Sequence, residues 1–259
     1  MIPIRDHNPT SRPAIIVPLL IGINALVYFF WQPSFGSVNE QTVFAICHAA
    51  IPYEITEGEL VLDGVRGGNL RSTDRAGAMQ LRDVATVEGA LCPDKNVWTS
   101  IIVSMFMHGG PAHIFFNMLF LWVFGNNIED RLGRGRFVVF YLLAGIAAVY
   151  AHALVSSTSA IPLLGASGAI AGVLGAYLLL FPHARVTTLV FFFFITWIEL
   201  PAVVVLGLWF LLQVFQQFGS VSGDVGAVAY LAHIGGFVAG MVLLLILRPR
   251  RAPPRAEYL

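Results

Sequence analysis

Charge is what this sequence has least of: only 12% of its 259 residues are charged, and its 15 basic residues are matched by 15 acidic ones. Soluble domains carry about 25% charged residues. With 57% of the chain hydrophobic, a water-soluble globule is excluded and an integral membrane protein is indicated. The absence of net charge removes any global field that would draw nucleic acid or an acidic ligand, so no nucleic-acid partner is expected. Cysteine is almost missing too. Cys47 and Cys92 fall in one long hydrophilic stretch, where they are either bridged or free. No Cys/His cluster has metal-ligand spacing and no phosphate-binding Gly-Lys-Ser/Thr loop occurs, so neither a metal nor another cofactor is expected.

What the chain has in abundance is apolar runs. Ala14 to Trp31 is long enough to cross a bilayer core of about 30 Å and longer than a signal peptide's apolar region, so it reads as an uncleaved first span. Gln32 to about Val97 is polar and reads as a loop domain packed on the membrane face. Trp98 to Met107 is apolar but short, interrupted by His108-Gly-Gly-Pro-Ala-His113, which suggests an interfacial or re-entrant piece. Further spans follow at Ala112–Gly125, Phe137–Val155, Gly168–Phe181, about Leu200–Phe218 and Gly226–Leu247. Between the fourth and fifth, Val186 to Ile198 is rich in Thr, Val and Phe and reads as interfacial or partly extended. The expected fold is an all-α polytopic bundle of six transmembrane helices. Its membrane domain covers 14–247, including an outer loop at 32–111, with an N-terminal segment 1–13 and a basic tail 248–259.

Orientation follows from the basic residues. Arg5, Arg12, Arg131, Arg134, Arg136, Arg185 and the four arginines from Arg248 to Arg255 fall on one side, and the rest lie in the long loop. Both termini are therefore expected in the cytoplasm. The long loop and the Ser156–Leu164 linker then belong near the outer face.

Within Gly165-Ala166-Ser167-Gly168-Ala169-Ile170-Ala171-Gly172, one hydroxyl sits among small residues at the head of the fourth span. Alone, this is the ordinary signature of close helix packing, and it is equally the setting of a nucleophilic serine. Depth argues for the second. Measured up from Phe181 and from Leu247, Ser167 and His233 both stand roughly 21 Å above the cytoplasmic ends of their helices. His113 and Asn117, measured from Gly125, stand roughly 18 and 12 Å up. Polar side chains gathered at one membrane depth are functional candidates. Gly168, Gly172, Gly236 and Gly240 form small-residue rows that let the fourth and sixth helices approach. His233 is then a general base for Ser167. No Asp or Glu shares this depth, so a dyad is expected rather than a triad. Asn117, a His113 ring N–H and the Ser167 backbone N–H are candidate donors to an oxyanion.

These residues resemble the rhomboid family of intramembrane serine proteases. The resemblance rests on Gly165-Ala166-Ser167-Gly168, Ala232-His233-Ile234-Gly235-Gly236, His113-Ile-Phe-Phe-Asn117 with His108 before it, and Glu129-Asp-Arg131. It implies a serine endopeptidase in a multi-pass bacterial inner membrane that cuts single-span or multi-span substrates near their outer ends. Ser167 and His233 would be catalytic, and His113 and Asn117 oxyanion-stabilising. It also implies that Glu129 and Arg131 organise the loop region; the alternative is a solvated cytoplasmic cap. Trp209 looks like the aromatic of a lateral substrate gate, or is a lipid-facing tryptophan. Some members carry an aromatic under the histidine ring four residues after the serine. Here that residue is Ala171, so something else orients His233.

The residues also bear on two other readings. A catalytically silent rhomboid-like protein binding transmembrane clients would have lost Ser167 or His233, and both are present. A transporter or channel would continue its polar path to the cytoplasmic side, whereas the fourth helix below Ser167 is Gly, Ala and large apolar residues down to Pro182.

Overall fold

The apolar runs become helices in the computed structural model, which describes residues 1–61, 92, 94–191, 195–219, 229–247 and 249. Strand β1 (Ile2–Asp6) is followed by α1 (Ile16–Leu26), which continues as a π-helical turn over Val27–Trp31. The hydrophilic stretch carries α2 (Val38–His48), α3 (Pro52–Glu57) and then α4 (Val97–Ser104). The remainder runs α5 (Pro111–Leu132), α6 (Arg134–Val155), α7 (Ser167–Leu180), β2 (Arg185–Phe191), β3 (Ile195–Pro201), α8 (Ala202–Gly219) and α9 (Tyr230–Leu247). By length and composition α6 and α9 suffice to cross a membrane, while Ile16–Trp31, Ser167–Leu180 and Ala202–Gln217 are shorter apolar helices. Residues 226–228 of the expected sixth span lie outside the described residues.

Small side chains place α7 at the centre. Every residue from Gly168 to Tyr177 is buried, because α9 and α6 close on its glycine and alanine faces. Gly236 lies against the Gly168 carbonyl, Gly240 against the Gly172 backbone and Gly175 against the Phe237 carbonyl; a Cβ on any of the three would overlap backbone. Apolar helices in lipid gain little from hydrophobic exclusion, so this interface depends on van der Waals contact that only glycine permits. Phe124, Phe137, Phe140, Tyr141, Leu174 and Tyr177 fill the space around it.

The fold departs from an all-α bundle after α7. Strands β2 and β3 form an antiparallel pair, Arg185↔Pro201 through Phe191↔Ile195. The chain's start adds a third strand, with Ile2 opposite Leu189 and Asp6 opposite Val186. Val186, Thr187, Thr188, Val190 and Ile195 suit a pleated backbone better than a helix. Asp6 fastens the sheet to the bundle, accepting from Asn127 Nδ2 at 2.6 Å and from the Tyr177 hydroxyl at 2.8 Å.

One further difference follows from partners that polar residues find. Helix α5 does not stop at Gly125 but runs to Leu132, because Asn127 and Glu129 are bonded inside the fold rather than left to water. The described residues of the hydrophilic stretch are held at several points. Ser37 and Glu40 form a capping box at the head of α2, Cys47 is bridged to Cys92, and Lys95 Nζ lies 2.5 Å from Glu54 Oε2. Leu163 N–H donates to Ala50 O at 2.8 Å and Tyr53 N–H to Ser159 O at 3.0 Å, which lays this stretch on the linker that leads into Ser167.

Candidate active site

Ser167 is presented by a turn that requires glycine. Gly165 has φ +125°, a left-handed conformation that other residues rarely adopt, and its N–H donates to Ser104 O at 2.9 Å. No side chain caps the first turn of α7, so Ser167 sits at a helix start whose N–H groups and dipole favour negative charge.

His233 approaches from α9. Its Nε2 lies 2.8 Å from Ser167 Oγ, and the close glycine packing of α7 on α9 is what brings the two within reach. Its Nδ1 lies 2.7 Å from Gln213 Oε1 on α8. The sequence alone does not single out Gln213; the available signal is an amide one turn after Trp209, the first of three glutamines on the otherwise apolar α8. The Trp209 ring is 6.0 Å from His233 and 6.1 Å from Phe237, so it packs against the imidazole rather than standing apart from it.

His113 and Asn117, one turn apart on α5, face Gly165 from the other side. A Cβ on Gly165 would lie 2.8 Å from His113 Nε2 and 3.5 Å from Asn117 Nδ2. His113 Nδ1 accepts from the Gly109 N–H at 3.3 Å. Its proton is then on Nε2, the nitrogen that faces the serine turn. Asn117 is 7% exposed and its buried Nδ2 has no partner among the described residues. A buried donor left unbonded costs stability, so both α5 side chains offer N–H groups to whatever occupies the space beside Ser167. His108 supports them from behind: its ring stands edge-on to His113 at 5.2 Å, and Gln32 grips its backbone, donating to His108 O at 2.6 Å and accepting from His108 N at 3.0 Å.

Glu129 and Arg131 are not part of this cluster. They lie at the far end of α5, roughly 18 Å beyond Asn117. Glu129 is 3% exposed, not a solvated cap. Its Oε1 accepts from Ile15 N at 2.8 Å and Ile16 N at 3.0 Å, and its Oε2 from Val17 N at 2.9 Å. It thereby closes the head of α1, whose own residues provide no side-chain cap. The Arg131 guanidinium lies 5.5 Å from the centre of the Phe181 ring. Gly168, Gly172, Gly236 and Gly240 form the α7–α9 interface described above.

The sequence was compared with known proteins. The Rhomboid domain profile matches residues 95–250. Rhomboid protein 1, mitochondrial, of Saccharomyces cerevisiae is 35% identical over 149 residues, 55% of this chain and 40% of the yeast protein. Rhomboid protease GluP of Bacillus subtilis is 43% identical over 81 residues, 31% of this chain and 15% of GluP. RHOMBOID-like protein 5 of Arabidopsis thaliana is 29% identical over 181 residues, 69% of this chain and 54% of that protein. The chain thus spans about half or less of the length of these relatives. With the domain profile covering everything from α4 to α9, the chain belongs to the rhomboid family of integral membrane proteins.

Proposed function

We propose that this chain is an intramembrane serine endopeptidase that cleaves membrane-spanning proteins near the outer face of the bilayer. The observation that carries this reading is the 2.8 Å contact between Ser167 Oγ and His233 Nε2, and the Bacillus relative whose name is rhomboid protease adds to it. Ser167 Oγ attacks the scissile carbonyl carbon while its proton passes to His233 Nε2. The carbonyl oxygen becomes an oxyanion that takes hydrogen bonds from Asn117 Nδ2, His113 Nε2 and the Ser167 N–H. Collapse expels the amine, which receives the proton from His233 and leaves an ester on Ser167. Water, deprotonated by His233, then hydrolyses that ester and restores the hydroxyl.

In this reading the chain crosses a bacterial inner membrane six times, with both termini cytoplasmic. Basic residues collected on one side support this orientation. The test is cleavage of a model single-span substrate by purified protein in liposomes, wild type beside Ser167→Ala. Cleavage that disappears with the hydroxyl is the expected result. No cleavage by a folded wild type, for any of several spans offered, overturns the protease reading in favour of silent client binding.

A further inference from the structure

A base that accepts the serine proton through Nε2 must carry its own proton on Nδ1, because a neutral imidazole has one donor nitrogen and one acceptor. Something must hold that tautomer and keep the ring plane aimed at Ser167. In many serine hydrolases a carboxylate does this. Around His233 none is found among the described residues: the titratable side chains that act on it electrostatically are His113 of α5 and His152 of α6. The residue four after the serine is Ala171, which has no ring to offer, and the Trp209 ring is tilted 36° from the imidazole at 6.0 Å.

We infer that Gln213 is the positioning residue of the site, selecting the Nδ1–H tautomer of His233 through its side-chain carbonyl. This inference rests on the protease reading of Ser167 and His233. The Gln213 Oε1 to His233 Nδ1 distance is 2.7 Å, shorter than an average neutral N–H···O bond. The amide is itself oriented. Gln213 is 8% exposed, and its Nε2 points back along α8 to the Trp209 carbonyl at 3.5 Å, which turns the oxygen toward His233. Stacking of Phe210 on Phe237 at 4.6 Å fixes α8 against α9 one turn away. The three polar atoms Gln213 Oε1, His233 and Ser167 Oγ thus form one continuous chain across α8, α9 and α7.

An amide is the affordable acceptor here. A carboxylate at this depth would be a buried charge with no cation beside it, which a low-dielectric interior penalises heavily. A neutral carbonyl aligns the imidazole without that cost. It stabilises the imidazolium less than a carboxylate would, so the site gains its orientation at the expense of some driving force for proton transfer.

The test uses full-length protein in detergent or liposomes, with Gln213→Leu and Gln213→Glu beside the wild type. Two readouts are taken: cleavage of the single-span substrate, and ¹⁵N NMR of labelled histidine with the His233 signals assigned by difference from His233→Ala. Gln213→Leu should lower kcat by roughly 10- to 100-fold, less than the whole contribution of a general base, with KM little changed. In the same variant the Nδ1-protonated signature of His233 should give way to a tautomer mixture. Gln213→Glu keeps an acceptor oxygen at the same reach, so it should retain the Nδ1–H signature and more activity than the leucine variant. An unchanged ¹⁵N signature with kcat within twofold in Gln213→Leu overturns the assignment, as does a tautomer mixture in Gln213→Glu if the leucine variant fails to fold. The NMR readout needs no turnover. A wild type that shows the Nδ1–H tautomer but cleaves nothing therefore fails the protease reading alone, and loss of that tautomer from the wild type fails the positioning role alone.

Discussion

Gly240 of α9 meets Gly172 of α7 backbone to backbone, with no space for a Cβ between them. This contact sets how near α9 comes to α7 and therefore whether His233 reaches Ser167. A methyl group here cannot be relieved by a rotamer change, because what it strikes is main chain. Gly240→Ala is expected to cost about 3 kcal/mol, the upper end of overpacking penalties, and to reduce cleavage. Gly22 of α1 faces open space, so Gly22→Ala serves as the control and should leave the thermal midpoint unchanged or slightly raised. Equal midpoints for Gly240→Ala and Gly22→Ala would refute the close-packing account.

Glu129 takes three backbone N–H groups from Ile15, Ile16 and Val17. Removing it strands buried donors at the head of α1. Glu129→Ala should lower stability by about 3 kcal/mol, and Glu129→Gln, which keeps one acceptor oxygen, should lie between it and the wild type. Because this contact is at the opposite end of α5 from Asn117, cleavage measured well below the melting range should be nearly normal in both. A thermal midpoint unaffected by Glu129→Ala would show that water or another group caps α1.

How far these features could be read from the chain depends on whether their partners are near in sequence. Ser167 and His233 could be matched by counting residues up from the polar ends of their helices, and the glycines on both helices pointed to the same pairing. The sheet could be read only in part. Thr187, Thr188 and Val190 marked extended backbone, but the edge strand that completes it begins at Ile2, and nothing local reports a partner so distant. The end of α5 was misplaced because Asn127 and Glu129 look like water-facing residues until Asp6 and the α1 backbone are brought to them. Gln213 was invisible for the same reason: one of three glutamines in an otherwise apolar helix, it takes its meaning from the imidazole across the interface.

The Lys95–Glu54 pair supplies a pH dependence outside the apolar helices. Both side chains are nearly inaccessible, at 2% and 1%. Burial pulls the Lys95 ammonium below its usual 10.5, with the Glu54 charge opposing. The folded protein thus holds this proton less tightly than the unfolded chain. The charged form costs stability below the folded pKa, and that cost is relieved as pH rises toward 10.5. Lys95→Met alone removes the cation from a buried carboxylate and should destabilise by about 3 kcal/mol, while adding Glu54→Gln should recover most of that loss. Between pH 7 and 10.5 the wild type should gain stability relative to the double variant. A difference that stays flat over this range would rule out Lys95 as its source.

The Cys47–Cys92 bridge, with a sequence separation of 45, closes a loop long enough to restrict the unfolded chain substantially. The chain-entropy relation gives about 4 kcal/mol for a loop of this size. Mass spectrometry without reduction should find the two cysteines linked, and Cys47→Ser should lower the thermal midpoint. Two alkylatable thiols in protein isolated under non-reducing conditions would contradict the bridge.

Asn117 separates an oxyanion donor from a packing residue. Its Nδ2 is buried beside Gly165 with no partner among the described residues, which is unfavourable for a purely structural amide and suited to a group that bonds only when charge appears on the substrate. If so, Asn117→Ala should lower kcat by roughly 10²–10³ with little change in KM. Asn117→Asp preserves volume and shape but replaces the donor with an acceptor, so it should be at least as damaging as the alanine variant. A packing role predicts the reverse order, with aspartate close to wild type and alanine impaired by the cavity it leaves. Measuring both variants on one substrate, with fluorophosphonate labelling of Ser167 to confirm that the nucleophile is still in place, decides between the two.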